Sequence, residues 1–161
     1  MRIYVCSPYR ADTPEGIAAN VEYARKCCRT IFDAGHDPYA PHLLFPQFCE
    51  DSNEVERNKC MTAALRELLL CDGMMVFGDF MSEGMVEEFS FANTSGIPSY
   101  LSARAECPDD ITNAIELFKS KSTIYAQKQE NEMARRGIRR ELAPNVLGWR
   151  KDRNPFWGDL P

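Results

Sequence analysis

The chain has 161 residues, 44% of them hydrophobic and 27% charged, which allows one domain with a sizeable core plus an appendage and excludes a disordered chain. No apolar run approaches membrane-spanning length and the Ile3 to Cys6 run is too short for a signal-peptide core, so a cytoplasmic protein with no membrane partner is expected. The net charge of −5 hides an asymmetry: Arg135 to Arg153 holds seven basic and two acidic residues, whereas residues 1–134 hold twelve and twenty-one, leaving the main body without a basic footprint for a nucleic-acid polymer.

Seven cysteines occur without regular spacing, Cys27 beside Cys28 and no Cys-x-x-Cys, so neither a disulfide framework nor a zinc site is indicated. With two histidines and no carboxylates at ligand spacing, no metal and no cofactor is expected. His36 follows Gly35 at a helix end and reads as structural. His42 could face a crevice, but reads first as a proline-flanked surface residue.

Arg2 to Cys6 reads as a strand, followed by a loop through Asp12 and a helix start with Thr13 as N-cap and Pro14 at the first helical position. That helix carries Ile17, Val21, Ala24, Cys28 and Ile31 on one face and stops near Gly35. His36 to Pro41 is a weak strand whose prolines argue for a sheet edge, and His42 to Glu50 is a loop with room for one helical turn. A helix then starts at Asp51 or Asn53, each followed three residues later by glutamate, and turns Met61, Ala64, Leu65, Leu68 and Leu69 inward.

Gly73 to Phe77 is a wholly apolar run without alternation, as in a strand buried on both faces. The polar turn Gly78 to Gly84 leads into a helix from Met85 with Ser82 as its N-cap, ended by Gly96. Pro98 to Leu101 forms a fourth strand. Asp109 to Ser120 forms a helix with Ile111, Ala114, Ile115 and Phe118 inward, and residues 121–136 a further polar helix. Strands alternating with helices imply an α/β domain, a doubly wound parallel sheet over 1–120, with a C-terminal helix and extended tail over 121–161.

In such a sheet ligands bind beyond the carboxyl ends of the strands, where a helix N-terminus attracts anions. Two loops should meet there and offer Tyr9, Arg10, Asp79 and Ser82 around Glu88, about one turn inside its helix. The helix dipole is expected to favour ionised Glu88, as a carboxylate nucleophile requires. The same local pattern also suits Glu87 and Glu88 as ordinary first-turn acids, Arg10 as a surface ion-pair partner and Ser82 as only a cap.

Tyr4-Val5-Cys6-Ser7-Pro8-Tyr9-Arg10 resembles an opening strand and loop of the form Tyr-Phe-Cys-Gly-Ser-x-Arg, with Tyr4, Cys6 and Arg10 in register. Ser82-Glu83-Gly84-Met85-Val86-Glu87-Glu88 resembles Ser-x-Gly-x-Gly-x-Glu, with Ser82, Gly84 and Glu88 in register. Both are features of the nucleoside 2-deoxyribosyltransferase-like family, and within it of the 2'-deoxynucleoside 5'-phosphate N-hydrolases. The resemblance covers residues 1 to about 102. It implies a flavodoxin-like (Rossmann-like) sheet of four to five strands in which Glu88 attacks C1' of a nucleoside or nucleotide and the base departs, leaving a covalent glycosyl-enzyme for water or a second base.

By the same resemblance Tyr4 lies by the nucleophile, Arg10 and Ser82 lie near a 5'-phosphate, and Ser7, Tyr9, Asp79 and Gly84 complete the substrate-binding set. Serine at 82, where the transferases proper carry aspartate, favours a phosphate-bearing ligand over a bare nucleoside, because aspartate and phosphate repel. The chain departs from the pattern at Ala64, where the family has an acid for the leaving base, at Val86 and at Ser7. Asp79, Glu87 or His42 could supply that acid. Alternatively, the pocket binds or senses a nucleotide without turnover, or is vestigial on a structural protein. The tail residues Trp149, Phe156 and Trp157 among five basic residues suggest packing in a homo-oligomer.

Overall fold

Strand β1 (Arg2–Cys6) pairs in parallel with β2 (Asp37–Tyr39) on one side and β3 (Gly73–Phe77) on the other, and β4 (Ser99–Ala103) lies outside β3. This computed structural model describes residues 1–135, with side chains through residue 122. Helix α1 (Pro14–Asp33) follows β1; a one-turn α2 (Pro41–Leu44) and α3 (Glu54–Leu68) follow β2; α4 (Glu83–Thr94) follows β3; and α5 (Pro108–Arg135) follows β4. The order β2-β1-β3-β4 is the flavodoxin-like order, so the fold is a doubly wound α/β sheet whose topological switch point falls between β1 and β3.

The register Tyr4 beside Met74, Val5 beside Met75 and Cys6 beside Val76 sorts the two faces of the sheet. Tyr4, Cys6, Met74 and Val76 pack with Leu68 of α3 and with Met85 and Ala92 of α4. Ile3, Val5, Met75 and Phe77 pack on the other face with Cys27 and Ile31 of α1 and with Ile111, Ala114, Ile115 and Phe118 of α5. Fully burying side chains of this size contributes about 1.5–3 kcal/mol each. The sheet therefore holds β1 and β3 rigidly and directs Tyr4 and Cys6 toward α4.

Local chemistry explains most boundaries. Thr13 caps α1 by accepting from the Gly16 amide at 3.1 Å, and Gly35 takes φ of +80° past the helix end. Cys27, rather than Cys28, is the buried thiol of α1, while Cys28 is half-buried. Asn53, not Asp51, caps α3: its Oδ1 accepts from the amides of Val55 and Glu56. Glu56 does not close the reciprocal box. Its carboxylate accepts from the Glu50 amide instead.

β4 begins at Ser99 and runs two residues beyond the expected Leu101, with a bulge opposite Met75 to Phe77 where Ser102 takes φ of 57°. The bulge lets Ala103 return to the core while Leu101 stays exposed. The two helices expected after residue 108 form one, Pro108–Arg135. Chain contacts divide at residue 120 into a unit Met1–Ser120 and a second unit from Lys121. The aromatic tail residues Trp149, Phe156 and Trp157 lie outside the described residues. Among the described residues no helix is long and apolar enough to cross a membrane.

Candidate functional site

A cavity of about 300 Å³ opens within Met1–Ser120, at the carboxyl ends of β1 and β3. Its size is at the lower end for small-molecule sites. Four stretches line it: the loop after β1 (Ser7, Tyr9, Arg10), α2 and its continuation (His42, Phe45), one side of α3 with the turn before it (Asp51 to Ala64), and the start of α4 with its N-cap (Ser82 to Glu88). Asn20 of α1 fixes the first loop, its side-chain amide donating to the carbonyls of Tyr9 at 3.1 Å and Arg10 at 3.2 Å.

Glu88 stands on the face of α4 shared with Gly84 and Met85, four and three residues earlier, and only 8% of it is exposed. Tyr4, fully buried beneath it, donates its phenol to Glu88 Oε1 at 2.7 Å. Tyr4 is thus a partner of the carboxylate and not part of the cavity lining. Burial raises the Glu88 carboxyl above its usual range, opposed by hydrogen bonds from Tyr4 and from the Cys6 thiol. The helix dipole is expected to favour ionised Glu88; burial, the largest influence on its carboxyl, acts in the opposite direction. Tyr4 is itself held well above its ordinary range, first by burial and then by Glu88, so it remains a donor.

Arg10 is not a lone cation over the cavity. Its Nε donates to Asp51 Oδ2 at 2.5 Å and its Nη2 to the Asp51 carbonyl at 2.6 Å, while Arg57 Nη1 donates to Asp51 Oδ1 at 3.0 Å. Two guanidinium groups share one carboxylate, leaving one net positive charge on that wall. Arg57 was not singled out by sequence. The signal was present in its spacing, because Arg57, Met61 and Ala64 recur on one helical face.

His42 is half-buried and lines the cavity, correcting its reading as a surface residue. Its Nε2 lies 2.8 Å from Ser7 Oγ, and its ring lies 6.4 Å from that of Tyr9. Burial lowers its pKa from 6.5 to about 4, so the imidazole is neutral near pH 7. Ser82 lines the cavity and caps α4, its Oγ accepting from the Met85 amide at 3.4 Å and keeping its own proton to donate. Gly84 also lines it, and a Cβ there would meet Arg57 Nη2 at 3.6 Å, an ordinary contact.

Asp79 is exposed and absent from the lining; it acts electrostatically on Tyr23 of α1 instead. The turn after Gly78, whose φ is +100°, carries it away from the crevice. Glu87 is exposed as well. Ala64 is 2% exposed and does line the cavity, so no acid stands at that position. Among the described residues no group of three or more His, Cys, Asp and Glu side chains could hold a metal ion.

Among solved structures, a 2-deoxyribosyltransferase from the psychrotolerant bacterium Bacillus psychrosaccharolyticus aligns with a TM-score of 0.49 and 18% identity, over 63% of this chain and 71% of that one. No curated protein sequence matches. A family model described as a domain of unknown function matches residues 1–101, the part of the chain that contains β1 to β4 up to Leu101 and every residue lining the cavity. The chain belongs to that family, DUF7768.

Proposed function

We propose that this protein cleaves the N-glycosidic bond of a (deoxy)nucleoside 5'-monophosphate, or transfers its sugar, through a covalent glycosyl intermediate on Glu88. The observation that carries this reading is the carboxylate of Glu88, buried on the wall of a cavity at the switch point and held at one oxygen by Tyr4. A carboxylate so fixed is oriented for attack at an electrophilic carbon without reorganising its surroundings. Arg10, Arg57 and the Ser82 hydroxyl provide donors for a phosphate, and by position the amides of Glu83 and Gly84 have no intrahelical acceptor. The sequence motifs around Arg10 and Glu88 support the same substrate class.

The test is incubation of the full chain with the four 2'-deoxynucleoside 5'-monophosphates and chromatographic measurement of free base. Release that disappears in Glu88→Gln supports the reading, and no release from any of the four by the parent protein overturns it. A second reading, a nucleotide-binding or sensing module, is favoured by one observation: Ala64 leaves the cavity without the acid that would assist the leaving base. Binding of monophosphates without base release would select it. A homo-oligomer, and a chain organised as an α/β domain over 1–120 with a C-terminal helix and tail over 121–161, belong to the same proposal.

A further inference from the structure

The cavity contains a hydrogen-bonded pair for which nucleophilic attack by Glu88 has no use. Ser7 is 5% exposed, and its hydroxyl lies 2.8 Å from His42 Nε2, both side chains lining the same cavity as Glu88. Ser7 directly follows Cys6, whose thiol donates to the Glu88 carboxylate, so the pair begins one residue from a hydrogen-bond partner of the reacting group. The described carboxylates on the lining are Asp51, Glu83 and Glu88. Asp51 is held by two arginines, and Glu83 is exposed at the start of α4. In the tautomer that carries its proton on Nδ1, the neutral His42 ring accepts the Ser7 hydroxyl proton at Nε2, and the pair then works as a proton acceptor rather than a donor.

We infer that Ser7 and His42 form the proton acceptor for the second half of the reaction, taking a proton from the water that releases the sugar from Glu88. This rests on Glu88 as nucleophile. In the first half a Glu88 oxygen bonds to C1', the C1'–N bond breaks, and its electron pair leaves with the base. In the second half the water oxygen bonds to C1' and the C1'–O bond to Glu88 breaks, its electron pair returning to the carboxylate. The water proton passes to Ser7 Oγ as the Ser7 proton passes to His42 Nε2. The imidazolium then gives that proton to the departed base, so nucleotide and water become sugar phosphate and neutral base. With Ala64 in place of an acid, proton removal from the incoming nucleophile is the step this chain equips.

The assignment separates the two halves experimentally. In full-chain His42→Asn, mixed with excess 2'-deoxynucleoside 5'-monophosphate and quenched at intervals, one equivalent of base should still appear rapidly, and intact-mass measurement should show a sugar-phosphate adduct accumulating. Steady-state release should fall by about 10²-fold, the lower end for a proton-transfer group. Ser7→Ala should change both readouts in the same direction. Azide attacks without losing a proton, so it should restore turnover of His42→Asn and yield a glycosyl azide, which a misfolded or merely loosened site would not do. Unchanged steady-state release, or loss of the first equivalent together with turnover, would overturn the role of the pair while leaving Glu88 as nucleophile if the parent still releases base. Absence of release from the parent overturns both.

Discussion

The Tyr4 phenol and the Glu88 carboxylate are joined at 2.7 Å across 84 positions of sequence, on a strand and a helix that share one core cluster. The contact exists because Tyr4 and Cys6 alternate onto the same face of β1, and because α4 presents every third and fourth residue to that face. It orients a charge that burial disfavours.

The carboxyl of Glu88 is raised by burial, so ionising it costs stability: that contribution is fully present below the unfolded pKa and is lost as pH rises through the folded one. Glu88→Gln keeps an acceptor for Tyr4 and removes the charge. It should abolish base release, leave monophosphate binding within a few-fold of the parent, and raise the melting temperature at pH 7 by a few degrees. Glu87→Gln, on the exposed neighbour, should change neither. Calorimetry beside a base-release assay checks all of these, and a lower melting temperature for Glu88→Gln would contradict the assigned direction.

Tyr4→Phe removes the hydrogen bond but keeps the ring in the core. The remaining carboxylate loses a donor in a buried site, a loss of about 1–3 kcal/mol. Turnover should fall while substrate affinity changes little, as seen by comparing kcat with KM. An unaltered kcat would show that Tyr4 only packs.

Asp51 neutralises part of the charge on Arg10 and Arg57. Monophosphates should bind more tightly than the matching nucleosides by about 1.5–3 kcal/mol, as for hydrogen bonds to charged groups. Arg57→Ala should erode that preference as Arg10→Ala does, and Asp51→Asn should increase it. Titration calorimetry with nucleoside and nucleotide pairs measures the difference. Equal affinities in the parent would remove the phosphate site from this wall.

His42 is neutral in the fold because burial lowers its pKa to about 4. Between pH 6.5 and 4 the unfolded chain takes up a proton that the folded one refuses, so stability due to His42 is present above 6.5 and lost as pH falls to about 4. The loss is at most about 3.4 kcal/mol, at 1.36 kcal/mol per pH unit. Denaturant melts of the parent and His42→Asn across that range should diverge by this amount. Parallel pH profiles would place the imidazole in water.

The strands and the caps at Thr13 and Ser82 were legible because each follows from spacing over a few residues. So was the burial of Gly73 to Phe77, whose run lacks polar positions altogether. Glu88 was distinguishable from Glu87 only through a motif, since local pattern treats the two alike. Arg57 was not legible as a site residue, and His42 was legible only as one of three stand-ins for the missing acid. Their roles depend on partners 35 residues away at Ser7 and 6 residues away at Asp51, both brought close by a turn of irregular chain between β2 and α3. The place of Asp79 off the cavity lining was not legible for a related reason: periodicity places a turn, but not the direction in which a glycine at positive φ sends the following residue.

A Cβ built on Gly73 would lie 2.5 Å from the ring of Phe118, at the first position of the strand that leads to the cavity. Residues 73 and 118 therefore behave as one volume divided between two chain segments: whatever one gains, the other must surrender. A library varying both positions should recover alanine at 73 together with residues smaller than phenylalanine at 118, and seldom with phenylalanine itself. Variation at 118 in helix α5 is thereby constrained by the strand that carries the site, without any contact to a ligand.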